Sequence, residues 1–170
     1  METRTYNVYK FSELNEDQKE KVIEKYCNIN IDHEWWECTY EDAKNIGLEL
    51  TGFDIDRGSY CEGKFIQTAQ YCADSILETH GKDCETYIDA AAYIKERKDI
   101  EQHAESDEYG EFDLKTCDKL DALTDEFLKS LLEDYLSMLR KECEYLTSKE
   151  AIIETIEAND YDFTENGRID

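Results

Sequence analysis

The stretch that most constrains the fold of this chain is TDEFLKSLLEDYLSMLRKECEYL, residues 124–146. Its apolar residues recur every three or four positions, which is the spacing of one face of an α-helix. Thr124 is a candidate N-cap, so we expect one long helix from Thr124 to about Leu146. Its apolar face could serve an internal core or a homodimer seam, and we favour the core. The face comprises Phe127, Leu128, Leu131, Leu132, Tyr135, Met138, Leu139 and Leu146.

Shorter elements are expected around this helix. Residues 4–11 are aromatic and β-branched enough for a strand, and a helix should follow over residues 16–28. Asn15 precedes that helix and Gln18 lies three residues beyond Asn15, which is the capping-box spacing.

The middle of the chain is expected to form further helices and a hairpin. Asp32 is a candidate cap for a helix that ends at Gly47, because glycine suits the left-handed position after a helix. The segments on either side of Arg57 and Gly58 predict a β-hairpin, in which Gly52, Gly58 and Gly63 permit bulges or tight bends. Apolar spacing then indicates helices over residues 66–80 and from about residue 83 to 100.

The pattern as a whole predicts an α+β fold, with a small antiparallel sheet packed with about five helices. At 170 residues, of which 40% are hydrophobic, the chain is long enough for one domain with a real core. We therefore expect a single acidic domain over residues 1–170.

The formal net charge of −24 narrows the classes of partner. Such a surface repels nucleic acid and anionic membranes, because a nucleic-acid binder must neutralise phosphates with Lys and Arg. It would attract a basic protein cleft, with association that weakens as salt rises. We therefore expect no direct nucleic acid and no membrane among the partners, although solubility alone is another reason for an acidic surface.

The seven cysteines are widely spaced and include no CxxC pair, so the sequence predicts no zinc ribbon and no disulfide framework. No apolar run approaches the length of a membrane span, and the first residues lack an apolar signal-peptide core. We expect free thiols and a cytoplasmic protein.

Motifs for catalysis or metal binding are weak. His33, Glu34 and Glu37 resemble part of an H-E-x-x-H zinc motif, but the second histidine is missing. His80 lies four residues before Cys84, yet Gly81 should break a helix between them, so we interpret His80 as an ordinary residue at a helix end. We expect no metal, no cofactor and no enzymatic activity.

Trp35 and Trp36 are adjacent within the acidic stretch DHEWWECTYED. Trp36 has helical spacing with Tyr40, Ala43 and Ile46, which predicts a core face. Trp35 would lie on a different face, where it could anchor a basic protein partner or be buried under the hairpin.

Acids are concentrated between Glu96 and Asp113. On a helix, acids three or four positions apart lie about 5–6 Å from one another, comparable with the spacing of successive phosphates, so mimicry of a nucleic acid is physically possible. Such clusters are also common as solvated faces. Together with Trp35, the candidate partner-binding residues are Glu96, Asp99, Glu101, Glu105, Asp107, Glu108, Glu111 and Asp113.

Three segments of the sequence resemble small acidic proteins encoded by phages and other mobile elements of Gram-positive bacteria, a largely uncharacterised group with labels such as antitoxin-like. The segments are YKFSELNEDQKEKVIEKY, EWWECTYEDAKNIGLELTGFDIDRGSYCEGKF and EAIIETIEANDYDFTENGRI. Similar acidic phage proteins include anti-CRISPR inhibitors of type II RNA-guided nucleases. The resemblance implies an inhibitor that acts inside a bacterial host cell.

Three hypotheses follow. The first is a phage or mobile-element inhibitor that docks its acidic surface into the basic cleft of a host CRISPR effector or another nucleic-acid-binding protein. The second is an antitoxin-like protein that neutralises a basic protein partner. The third is an enzyme or metal protein built around His33, Glu34 and Glu37, which predicts stoichiometric metal in the purified protein.

Overall fold

The computed structural model describes residues 7–104 and 112–169. Within these ranges the chain forms helices and short antiparallel strands, so the predicted α+β class is confirmed. The strands pair as two two-stranded sheets, β1 with β4 and β2 with β3. In chain order the elements are β1 (Val8–Lys10), a 3₁₀-helix (Phe11–Glu13), α1 (Glu16–Lys25), α2 (Glu37–Asn45), β2 (Leu48–Asp54), β3 (Tyr60–Phe65), α3 (Ala69–Thr79), α4 (Glu85–Gln102), α5 (Leu114–Leu146), α6 (Lys149–Ala158) and β4 (Asp162–Thr164).

The chain divides into two compact units. The terminal unit consists of Met1–Trp35 and Lys141–Asp170, and the central unit consists of Trp36–Arg140. The expectation of a single domain over residues 1–170 stays a prediction. In the part of the chain that the structure describes, none of the helices has both the length and the apolar character needed to cross a membrane.

The terminal unit is organised by a capped helix and a small sheet. The backbone N–H of Gln18 donates to Oδ1 of Asn15 at 2.9 Å, and the backbone N–H of Asn15 donates to Oε1 of Gln18 at 3.1 Å. The predicted capping box is therefore confirmed, although the helix ends at Lys25 rather than near residue 28. The buried core of this unit comprises Phe11, Leu14, Val22, Ile152, Ile156 and Phe163.

The central unit packs its hairpin and helices around one core. Strands β2 and β3 pair with a register shift between Leu50 and Gly52, and Gly58 has a φ of +82° in the turn. The predicted hairpin is confirmed. Its core comprises Ala43, Ile46, Leu48, Leu50, Ala69, Cys72, Ala73, Ile76, Ala90, Tyr93, Leu123, Phe127, Leu131 and Tyr135.

Helix α5 begins at Leu114, ten residues before the predicted start at Thr124. Thr124 lies inside the helix, where its hydroxyl donates to the carbonyl of Leu120 at 2.9 Å. The prediction of a cap at Thr124 was wrong because threonine can also satisfy its hydroxyl within a helix. The predicted apolar face is confirmed, since Leu131 and Leu139 are fully buried.

Helix α2 begins at Glu37 and not after Asp32, so the predicted cap at Asp32 was wrong. Residues 26–31 form turns and residues 32–33 form a bend, and the first turn of α2 follows Trp36 without a side-chain cap. The predicted end of the helix is confirmed, because Gly47 has a φ of +88°. A Cβ at this position would also lie 3.0 Å from Cβ of Gln67.

Candidate partner-binding surface

Trp35 lies in the segment before α2 and not on that helix. Its backbone N–H donates to the carbonyl of His33 at 2.8 Å, and its side chain is half-buried. Since His33 and Glu34 also precede the helix, the zinc-like spacing with Glu37 is not set by helical geometry. Within residues 7–104 and 112–169, no group of three or more His, Cys, Asp or Glu side chains is arranged to hold a metal ion.

Glu96 and Asp99 are exposed near the end of α4. They share a shallow surface depression with Lys95 and Lys98. These two lysines reduce the negative charge on that side of the helix, so the electrostatic field there is weaker than the count of acids indicates.

Glu101 and Asp113 have local structural partners. Oε1 of Glu101 lies 2.9 Å from Nε of Arg97, one helical turn away. Asp113 precedes α5, and its Oδ1 accepts a hydrogen bond from the backbone N–H of Thr116 at 2.9 Å. Hydrogen bonds from the hydroxyl and backbone of Thr116 hold the pKa of Asp113 below its ordinary value. Asp113 therefore acts as the cap of α5.

The other four candidate acids lie outside the described residues. They are Glu105, Asp107, Glu108 and Glu111.

The structure brings a different set of carboxylates together, in a cleft between α4 and α5 that we call the acidic groove. It encloses about 280 Å³ and lies within the central unit. The rings of Tyr93 and Phe127 stack at its base, with centroids 4.4 Å apart. Carboxylates stand along its walls, from Asp89 and Glu96 on α4 and from Glu126 on α5. The lining residues are Asp89, Ala92, Tyr93, Glu96, Leu123, Glu126, Phe127 and Ser130.

The pKa of Asp89 is influenced by acids of both helices. Partial burial raises the pKa of Asp89 above its ordinary value, a hydrogen bond from Ser130 opposes that shift, and the charges of Glu85 and Glu133 raise the pKa further. Glu133 comes from α5 and lies 3.8 Å from Nζ of Lys129. The influence of Glu85 and Glu133 on Asp89 shows that acids from both helices share one electrostatic environment.

Asp89, Glu96 and Glu126 form no ion pair with a lysine, arginine or histidine of the described ranges. The sequence alone indicates that acids of one helix share a face, since Asp89 and Glu96 are seven residues apart, as are Glu126 and Glu133. The pairing of α4 with α5 was not evident from the sequence.

His80 belongs to a partly buried polar network with Thr86 and Asp42. Its Nδ1 shares a 2.8 Å hydrogen bond with Oγ1 of Thr86, and its Nε2 lies 3.7 Å from Oδ1 of Asp42. The order Thr86, His80, Asp42 resembles a nucleophile, a base and an orienting carboxylate. However, Thr86 is only 1% exposed, so its hydroxyl is inaccessible to a substrate. The network ties α2 to the start of α4.

No protein-family model, no curated protein and no solved structure matches this chain.

Proposed function

We propose that this protein is a non-enzymatic inhibitor from a phage or mobile element, of the anti-CRISPR type, which docks an acidic surface into the nucleic-acid-binding cleft of a host defence nuclease. The observation that carries the proposal is the acidic groove, which is lined by the carboxylates of Asp89, Glu96 and Glu126. None of the three forms an ion pair with a basic side chain of the described ranges. A basic cleft would supply the missing cations.

The mechanism is competition for the positive charges that normally hold phosphates. Lysine and arginine side chains in a nuclease cleft are spaced to contact successive phosphates. Rows of carboxylates on two neighbouring helices offer the same cations oxygen acceptors at fixed positions, and arginine can bind a carboxylate through two parallel hydrogen bonds. The inhibitor would thus occupy the cleft before DNA arrives.

The net charge of −24 supports the first stage of this encounter. Long-range attraction between surfaces of opposite charge increases the association rate, and salt screens it over about 10 Å at 0.1 M. The groove then supplies the short-range contacts. Its aromatic base is buried, with Tyr93 3% and Phe127 4% exposed, so the carboxylates above it are held by a packed core.

The position of the groove shifts our expectation of which residues contact the partner. Glu96 remains in the surface, and Glu85, Asp89, Glu126 and Glu133 join it. Asp113 and Glu101 contribute to local helix structure, so we expect their loss to affect stability more than binding.

The direct test measures DNA cleavage by purified host defence nucleases. Guide-loaded type II effectors are tested before the other nucleases. The protein is added in increasing amounts at low and at moderate salt, before or after the target DNA. We expect inhibition that weakens with salt and that is strongest when the protein is added before DNA.

Absence of inhibition across the effectors at low salt would overturn the proposal. Recovery of a small basic protein partner from co-expression would then favour the antitoxin-like function instead. Inhibition that is insensitive to salt would contradict the acidic docking mechanism while leaving an inhibitor of another kind.

A further inference from the structure

A second surface of the central unit has different chemistry from the acidic groove. Helix α2 and strand β2 enclose a depression of about 240 Å³, which we call the apolar groove. Tyr40, Leu50 and Ile66 supply its apolar surface. Small-molecule sites usually enclose about 300–1,000 Å³, so this space is better suited to one large side chain than to a whole ligand.

Ile66 is the residue that marks this surface as unusual. The apolar spacing predicted a helix that begins at Ile66, but α3 begins at Ala69 and Ile66 is 44% exposed. Tyr71 is 51% exposed. It lies near Ile66, because its ring is 3.2 Å from the position that a Cβ on Gly47 would take, and the carbonyl of Gly47 accepts a hydrogen bond from the N–H of Ile66 at 2.9 Å. Adjacent exposed apolar side chains with a polar rim are typical of protein-binding sites.

The rim of the apolar groove is mainly acidic. Glu37 and Glu41 lie one turn apart on α2, Lys44 follows on the same face, and Glu49 stands on β2. Glu49 already pairs with Lys64 at 3.1 Å. The carboxylates of Glu37 and Glu41 therefore give the α2 wall a negative charge.

We propose that the apolar groove binds a basic amphipathic segment of a protein partner, with one large apolar side chain inserted against Ile66 and lysine or arginine side chains over Glu37 and Glu41. Charge complementarity determines the choice of occupant. A second copy of a chain with a net charge of −24 would be repelled, and so would an anionic membrane surface.

This inference rests on the proposed function only in that the partner is a basic protein. It adds a contact that mimicry of phosphates does not require, because an apolar anchor has no counterpart in a nucleic-acid backbone. Burial of a single anchor in such a site commonly dominates the affinity of a protein interface.

The test uses a fluorescently labelled twelve-residue peptide with a central leucine flanked by lysines, titrated with the full-length protein. We expect saturable binding that falls about tenfold when Ile66→Ser is introduced, and a similar loss when the leucine of the peptide is replaced by serine. Glu37→Gln with Glu41→Gln should reduce the dependence of binding on salt. Circular dichroism checks that each variant is folded.

Ile88→Ser provides the matched control, because Ile88 is 50% exposed on α4 and lies outside the apolar groove. We expect it to bind the peptide as the unaltered protein does. Equal binding by the Ile66→Ser variant, or no saturable binding at all, would overturn the inference. Since no nuclease is present, this result is independent of whether the protein inhibits DNA cleavage.

Discussion

The hydroxyl of Tyr135 donates a 2.7 Å hydrogen bond to Oδ2 of Asp42. Tyr135 lies on α5 and is fully buried, whereas Asp42 lies on α2 with its side chain 48% exposed. Burial is the largest cause, and the hydrogen bond to Asp42 the second, of a pKa of the Tyr135 hydroxyl that lies far above its ordinary value. Since Asp42 also approaches His80, one carboxylate links α2 to two other elements of the central unit.

Replacing Tyr135 by Phe should lower the free energy of unfolding by about 1–2 kcal/mol, because a hydrogen bond to a carboxylate is lost while the ring remains packed. Urea unfolding followed by circular dichroism measures the change. Tyr145→Phe is the matched control, since Tyr145 is 57% exposed on the same helix. If both variants unfolded at the urea concentration of the unaltered protein, the bond would have no stabilising role.

Gly63 is expected to tolerate no side chain. A Cβ at Gly63 would lie 2.6 Å from the carbonyl oxygen of Glu49 and 3.0 Å from Cδ2 of Leu132, so strand β3 would have to move. Gly63→Ala should destabilise the protein by about 1–3 kcal/mol, as other overpacked sites do. Gly52→Ala is the control, because a Cβ at Gly52 has no atom within 4 Å. Thermal unfolding of the two variants should therefore differ, and equal melting temperatures would contradict the packing of β3.

The cysteine thiols should react in an order set by burial. Cys72 is fully buried, and burial raises its pKa to about 12. At pH 8 its reactive thiolate is therefore scarce, whereas Cys27, Cys38, Cys84 and Cys117 are exposed. We expect iodoacetamide to modify these four in the folded protein and to reach Cys72 only in urea. Peptide mass spectrometry resolves the sites, and modification of Cys72 at the same rate without urea would contradict its burial.

The capping role of Asp113 should give a defined dependence on pH. Its pKa is lower in the folded protein than the ordinary 3.8, so it stabilises the fold above that value and loses the contribution as pH falls through the lower range. We expect Asp113→Ala to lower the free energy of unfolding at pH 7, and the difference from the unaltered protein to shrink below about pH 4.

Asp121→Ala is the control for that measurement, because Asp121 is exposed in the interior of α5. Its effect should be small and constant with pH. A deficit of Asp113→Ala that persisted at low pH would show that the side chain acts by something other than its charge.

Local patterns predicted those parts of the fold that depend on neighbouring residues. Asn15 and Gln18 form the capping box of α1 through reciprocal hydrogen bonds. The turn at Gly58 joins two strands that are adjacent in the chain. Asp32 has the same capping chemistry as Asn15, but the chain around it forms turns instead. Propensity does not decide between these outcomes when tertiary packing favours one of them.

The acidic groove could not be predicted from local sequence patterns, because its residues come from two helices. Asp89 and Glu126 are far apart in the sequence, and their proximity depends on the packing of Tyr93 against Phe127. Counting acids along the chain favoured residues 96–113, where charge is dense in sequence. In the folded protein, the acids of the groove come together from two helices, α4 and α5.

We propose that carboxylates around the acidic groove, and not the net charge alone, bind the nuclease. Two variants separate these causes, since each removes four negative charges. One carries Glu85→Gln, Asp89→Asn, Glu96→Gln and Glu126→Gln around the groove. The other carries Glu144→Gln, Glu150→Gln, Glu154→Gln and Glu157→Gln, all exposed in the terminal unit.

The decisive measurement is the inhibition constant of both variants against a guide-loaded type II effector at moderate salt. We predict that the groove variant loses at least about tenfold in inhibition, while the terminal-unit variant stays within about twofold of the unaltered protein. Equal losses in the two variants would show that net charge alone is responsible, and undiminished inhibition by the groove variant would contradict the account.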